Sequence, residues 1–244
     1  MTNEQLLGKS ILLTGATGGI GQATALQLAR EGALLTLSGR SAEKLEALAA
    51  SLEQETGVRP STIVADLSRA PQVEKLLAEA TAERGLDILV NAAGVGLVKP
   101  LENISPEEMT LTLAANLYGA MLLSQAAVKV MTPKKSGHIL HVVGILGKAP
   151  MAQASVYCAS KYGLTGFLQA LRAEVSRRHN IKVTGLYLGG VDTPFYDNPA
   201  IEMKVQRDKM LSVSDAAGAI LYALTQPAHL VLGELTLQPE SHQL

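Results

Sequence analysis

Tryptophan is absent from this chain and phenylalanine occurs only twice, so its 47% apolar content comes from leucine, alanine, valine and isoleucine. That composition suits buried parallel strands covered by Ala- and Leu-rich helices. Cysteine is scarce too. Cys158 stands alone, which excludes an internal disulfide and fits a reducing compartment. Neither charge sign is in excess, with 21 basic residues against 22 acidic, so nothing draws the chain to nucleic acid or a membrane surface. No apolar run approaches the ~20 residues needed to span a bilayer. Residues 1–9 are polar and too short to hold a signal-peptide core. The expectation is a soluble, cytoplasmic protein. Five scattered histidines, His138, His141, His179, His229 and His242, show no metal-ligand spacing, so no metal is expected.

What the chain does have is length and alternation. Its 244 residues suffice for one α/β domain spanning 1–244, burying roughly 70–75% of the unfolded surface without staples. Apolar runs of strand length fall at 10–14, 33–38, 61–65, 86–91, 138–143, 181–187 and 230–237. Segments of helical period separate them, among them 20–31, 43–55 and 109–130. Strict β–α alternation argues for a parallel sheet with helices on both faces. Ser105-Pro106-Glu107-Glu108 marks a helix start, with a cap, a proline at the first helical position and an acid three residues on. Residues 189–210 form the longest irregular stretch. In an open α/β sheet, ligands bind beyond the carboxyl ends of the strands, which makes 189–210 a candidate substrate lid.

Thr14-Gly15-Ala16-Thr17-Gly18-Gly19-Ile20-Gly21 directly follows the first strand and opens the first helix. Glycines there let backbone N–H groups approach a pyrophosphate, and the helix N-terminus favours the anion. An NAD-binding site usually carries an Asp or Glu at the end of the second strand to hold the ribose hydroxyls. Here Leu37-Ser38-Gly39-Arg40 has no acid. Arg40 instead offers a planar fork suited to a 2′-phosphate, so the expected cofactor is NADP(H).

The G-x-x-x-G-x-G spacing of that turn resembles the glycine pattern of the short-chain dehydrogenase/reductase family, and the likeness runs over nearly the whole chain. Asp66-Leu67 matches the family's adenine-contacting position, and Asn91-Ala92-Ala93-Gly94 its N-N-A-G-like element. Asn116 sits where the family carries its tetrad asparagine, and Tyr157-Cys158-Ala159-Ser160-Lys161 matches Y-x-x-x-K. Val191 and Thr193 occupy the family's nicotinamide-carboxamide positions. The resemblance implies a doubly wound Rossmann-type sheet of about seven strands and hydride transfer between NADP(H) and a carbonyl or alcohol. It also implies pairing of the helices beginning near Pro106 and Ala152 into a homodimer or homotetramer. Tyr and Lys four apart share one helix face. A nearby ammonium is expected to lower the phenol's pKa from about 10. Tyr157 would then exchange a proton with the substrate oxygen, Lys161 would bond the nicotinamide ribose, and Asn116 would hold a water in the proton path.

Two positions depart from the pattern. The family's catalytic serine lies about thirteen residues before the tyrosine, where this chain has Gly144, and no hydroxyl residue occurs from 139 to 153. A water, a backbone N–H or Ser155 is expected to compensate. Otherwise the chain is a catalytically silent cofactor binder acting as a sensor or through a partner, or it runs another reaction on the same site. The family's Pro-Gly after the sixth strand is Leu188-Gly189 here, which bears on loop stiffness. Phe195, Tyr196, Met203 and Met210 in the lid suggest an apolar carbonyl substrate. Cys158 and His141 read as packing and structural residues. Lys134-Lys135 and Arg177-Arg178 read as solvated helix ends.

Overall fold

Strand β1 (Ser10–Thr14) is buried along its whole length, and its alternate residues enter different cores. Ile11 and Leu13 pack with Leu28 and Ile220 on one face, while Leu12 packs with Leu76 and Leu123 on the other. This is the period of two expected of a strand covered on both sides. The computed structural model describes residues 5–241. His242 and residues 1–4 of the polar N-terminal segment lie outside them.

Alternation continues through α1 (Gly19–Arg30), β2 (Leu34–Gly39), α2 (Ala42–Thr56), β3 (Ser61–Val64), α3 (Ala70–Thr81) and β4 (Ile88–Asn91). Then come α4 (Pro106–Leu113), α5 (Gly119–Lys134), β5 (Gly137–Val142), α6 (Ser155–His179), β6 (Ile181–Leu188), α7 (Val213–Leu224) and β7 (Glu234–Leu237). Seven parallel strands run in the order β3-β2-β1-β4-β5-β6-β7. One core holds residues of α1, α2 and α7, and the other holds residues of α3, α5 and α6. The strand order reverses at β1, which opens a crevice at its carboxyl end between β1 and β4.

The structure revises several sequence expectations. The helix expected at 109–130 runs from Pro106 to Lys134, interrupted by a π turn at Ala114–Tyr118. Its start is the expected capping box: the Glu108 N–H donates to Ser105 Oγ at 3.2 Å, and Glu108 Oε2 accepts from the Ser105 N–H at 2.8 Å. By length and composition this 29-residue segment is apolar enough to cross a membrane, contrary to the reading that no run reaches that size. Here it covers the sheet, with Ala120, Leu123, Ala127 and Met131 fully buried. Lys134 is not a solvated helix end, because its Nζ donates to Leu86 O and Asp87 Oδ1, both at 2.9 Å. The last strand covers only Glu234–Leu237, since the Leu230 N–H turns back onto Pro227 O and leaves 230–233 irregular.

Candidate active site

The crevice at the strand ends is a cavity of about 1200 Å³ that runs from α2 to the lid. At its nucleotide end, Gly15 turns with φ +70°, and a Cβ there would lie 2.5 Å from the Ala93 nitrogen. Only glycine fits, and β1 can therefore turn tightly into α1. The N-cap of α1, Gly18, offers no side-chain cap, and the first turn carries no acid. Its initial N–H groups have no partners within the helix. With Gly18, Gly19 and Ile20 lining the cavity, they make an anion cradle at a positive helix end.

Gly15, Thr17, Gly18, Gly19, Ile20, Gly21, Ser38 and Arg40 all line this cavity, as do Asp66, Leu67, Ala92, Ala93 and Gly94. Tyr157, Lys161, Val191, Thr193 and Gly144 line it too, although at least 50 residues separate them in sequence from the first group. Two candidates stand behind its wall instead. Asn91 and Asn116 are buried, at 3% and 1% exposure, and act through the backbone around them. Sequence reasoning missed Lys44 and Ser51 on α2, which join Arg40 at the nucleotide end. Both lie one to three helical turns past Arg40 on a face that period alone reads as solvated. Burial raises the Asp66 carboxyl, but the Ser68 N–H and hydroxyl, donating at 3.0 and 2.7 Å, outweigh it. With the charges of Arg40 and Arg69 they hold that carboxyl below its ordinary value.

Asn116 lies in the π turn, and the extra residue there aims its amide at the β4 loop. Its Oδ1 accepts from the Val95 N–H at 2.8 Å and its Nδ2 donates to Val95 O at 2.9 Å. Nδ2 also donates to Ser160 Oγ at 3.2 Å, and the Ser160 hydroxyl donates to Tyr157 O at 2.7 Å. Loop and catalytic helix are thus held to one asparagine. Beneath them, the Thr14 hydroxyl and the Ala93 N–H both donate to Asn91 Oδ1, at 2.7 and 3.1 Å. Asn91 Nδ2 donates to His141 Nδ1 at 3.0 Å, so the ring proton lies on Nε2, which donates to Ser124 Oγ at 2.8 Å. His141 is therefore structural, as its place on a strand suggested.

Tyr157 and Lys161 share one face of α6, with Lys161 Nζ 5.5 Å from the Tyr157 ring centre. The expected lowering of the tyrosine pKa is not found. Burial dominates and raises the Tyr157 phenol, with neighbouring Tyr196 and Cys158 adding to it. Burial also brings the Lys161 amine down, to about 8. A neutral phenol beside a partly charged amine is a proton donor rather than a stored base. Gly144 has φ +92° and ψ 157°, so its backbone is shaped for glycine. Its N–H is already given to Leu186 O at 3.2 Å. Ser155 begins α6 exposed and away from the cavity, and does not replace the missing hydroxyl. Cys158 is buried with Val98, Ala154 and Ile201, a packing role as expected.

The candidate lid contains two short 3₁₀ turns, Pro194–Asp197 and Arg207–Lys209. Arg207 fastens it, donating to Asp192 Oδ1 at 2.8 Å, to Thr193 O at 3.2 Å, and to Asp197. Phe195, Tyr196, Met203 and Met210 line the cavity as the sequence suggested.

Residues 9–202 match the family model described as short chain dehydrogenase. A sepiapterin reductase of Chlorobaculum tepidum is 33% identical over 239 residues, covering 95% of this chain and 96% of that protein. Among solved structures, an alcohol dehydrogenase from the archaeon Thermococcus sibiricus, complexed with 5-hydroxy-NADP, superposes with a TM-score of 0.87. It is 28% identical, over 97% of this chain and 98% of that one. A metagenomic short-chain oxidoreductase in complex with NADP gives a TM-score of 0.83 at 29% identity, covering 96% and 98% of the two chains.

Proposed function

The chain belongs to the short-chain dehydrogenase family, and from that membership and the cleft we propose an NADP(H)-dependent oxidoreductase that interconverts a carbonyl compound and its alcohol. The observation that carries this reading is the convergence of Tyr157, Lys161 and Arg40 on one cavity from α6 and the end of β2. Arg40, with Lys44 beside it, suits the extra phosphate of NADP(H), and the uncapped start of α1 suits its pyrophosphate. Solved relatives that hold NADP support the same choice. NADPH bound there supplies hydride. The chain's own part is to orient both reactants and to move a proton. Asp66, Leu67 and residues 91–94 border the nucleotide half, while Val191 and Thr193 border the nicotinamide end. Tyr157, kept neutral by burial, gives its proton to the substrate oxygen. Lys161 bonds the ribose and Asn116 keeps the loop and helix aligned. The chain works as one domain across 1–244, with 189–210 excluding water over the cleft, as a cytoplasmic homodimer or homotetramer.

One observation favours the silent cofactor binder instead, namely that Gly144 has neither a hydroxyl nor a free N–H to orient a substrate. One set of measurements separates the two. Calorimetry should give NADPH an affinity at least tenfold above NADH, the ratio that a charge-assisted contact of about 1.5–3 kcal/mol provides. Following NADPH absorbance over ketones, aldehydes and diketones should then reveal turnover that falls about 10²–10⁴-fold in Tyr157→Phe, with NADPH affinity unchanged. Tight NADPH binding with no turnover on the whole panel decides for the binder. Equal affinities for the two cofactors overturn the NADP(H) assignment.

A further inference from the structure

Resting on the reductase reading, we propose that the Tyr196 hydroxyl is the second hydrogen-bond donor to the substrate oxygen, supplying from the lid what Gly144 lacks. Elimination among the hydroxyl groups lining the cavity leads to it. Thr14 is committed to Asn91 and Thr193 to Val191 O. Thr17, Ser38 and Ser51 stand at the nucleotide end, near β1, β2 and α2. That leaves Tyr157 and Tyr196 at the substrate end. The Tyr196 hydroxyl has no hydrogen-bond partner among the described residues, although its ring is packed and lines the cavity. A packed phenol usually finds a partner within the protein, so an unpaired one facing a cavity is suited to a ligand.

Its position fits the role. The hydroxyl lies 3.4 Å from where a Cβ on Gly190 would be, against the backbone that continues β6. Two residues earlier, Leu188 O is 3.9 Å from the same point on Gly144. Tyr196 therefore approaches along the strand end that Gly144 also borders. The Phe195 ring sits edge-on to Tyr196 at 5.3 Å and 6.3 Å from Tyr157, spanning the two phenols. Burial keeps Tyr196 protonated and thus a donor, although Arg207 pulls the other way.

The division of labour follows. Hydride from NADPH forms the new C–H bond, the carbonyl π pair moves to oxygen, and Tyr157 gives that oxygen its proton. Tyr196 keeps its own proton and only donates a hydrogen bond. Because the turn carrying Tyr196 is fastened through Arg207, the second donor depends on the lid being in place. Beside the two phenols the substrate end is walled by Val98, Leu146, Met151 and Ile201, with Lys204 and Gln206 on the lid as further polar side chains, so the substrate class is a largely apolar ketone.

The test uses the full-length protein and alkyl phenyl ketones of increasing chain length. Calorimetry gives ketone affinity for the NADP⁺ complex, a readout that needs no turnover, and NADPH absorbance gives kcat/KM. Tyr196→Phe removes a single oxygen and keeps the ring against Phe195, and a melting curve checks that the fold is retained. We expect ketone affinity to fall fivefold or more and kcat/KM about 10- to 100-fold, with NADPH affinity unchanged. Ketone affinity and kcat/KM both within twofold of the wild-type values overturn the proposal while leaving the reductase reading intact. If the wild-type protein binds NADPH but neither binds nor reduces any ketone, both fall together.

Discussion

At Gly144 the backbone passes through φ +92°, ψ 157°, a region that side chains with a Cβ rarely enter. Restoring the family's hydroxyl by Gly144→Ser is thus expected to destabilise the fold by about 1–3 kcal/mol and leave turnover no higher. Urea unfolding together with ketone reduction checks this, and a stable, faster variant would contradict it. Lys161 presents the opposite case, a residue whose usefulness opposes stability. It is 4% exposed, and no ion-pair partner for its Nζ is found among the described residues. Burial lowers its pKa from 10.5 to about 8. The unfolded chain then holds the extra proton between those two values, so stability rises with pH across that window. At pH 7 the buried charge costs on the order of 3 kcal/mol. Lys161→Met, which keeps length and loses charge, is expected to raise the melting temperature at pH 7 by a few degrees and to abolish activity. The gain in stability should vanish above about pH 10.5. A variant less stable than wild type at pH 7 refutes the argument.

Strand β5 is expected to make the protein sensitive to mild acid. His138 Nε2 meets Thr184 Oγ1 at 2.8 Å, and the Thr184 hydroxyl donates to Leu232 O at 2.6 Å, so the histidine ring must be the donor between them. At His141, Asn91 already donates to Nδ1, and a second ring proton would have to displace it. Burial holds both pKa values near 3, far below 6.5, with the Lys182 charge adding at His138 and Lys161 at His141. Only the unfolded chain takes up these protons as pH falls below 6.5, so stability declines from there. Between pH 6.5 and 5, still above the carboxylate range, the loss is about 2 kcal/mol per histidine. His138→Gln should roughly halve the fall in urea midpoint between those two pH values, and a midpoint indifferent to pH would sink the idea. The same strand shows what sequence can and cannot tell. Its apolar period and place in the series were legible, as was the tight turn at Gly15, because short-range geometry dictates them, whereas Tyr157-x-x-x-Lys161 was legible only through the family resemblance. The π turn at Ala114–Tyr118 was not, because a glycine directly after it, Gly119, does not by itself signal an extra residue, and the bonds of Asn116 to Val95 and Ser160 join segments distant in sequence. The positive φ of Gly144 and the pairing of Lys134 with Asp87 were hidden for the same reason, since each depends on a strand distant in sequence.

Across the whole molecule, apolar surface is distributed unevenly. The α4–α5 segment buries one flank against the sheet yet leaves Leu111, Leu113, Tyr118 and Met121 between 38% and 51% exposed. Tyr162, on neighbouring α6, is 42% exposed. Scattered apolar side chains are normal on a monomer, but several along one long helix and its neighbour form a patch that tends to mark an interface. Closed two-fold pairing is the commonest way to cover such a patch, since the same face then serves both copies. Such pairing would also account for a helix apolar enough for a bilayer in a sheet-covering position: the sheet takes one flank, and a second copy is expected to take the other. Assembly is expected to bear on the site as well, because Leu111 lines the cavity and Asn116 lies in the π turn within the same segment. Light scattering at micromolar concentration should therefore give the mass of two or four chains. The double substitution Tyr118→Asp with Met121→Asp, on exposed positions that touch neither core nor cavity, should shift that mass toward one chain and lower ketone turnover. A monomer mass for the wild-type protein, or an unchanged mass in the double variant, would mean that the patch is uncovered and the sheet alone accounts for the helix.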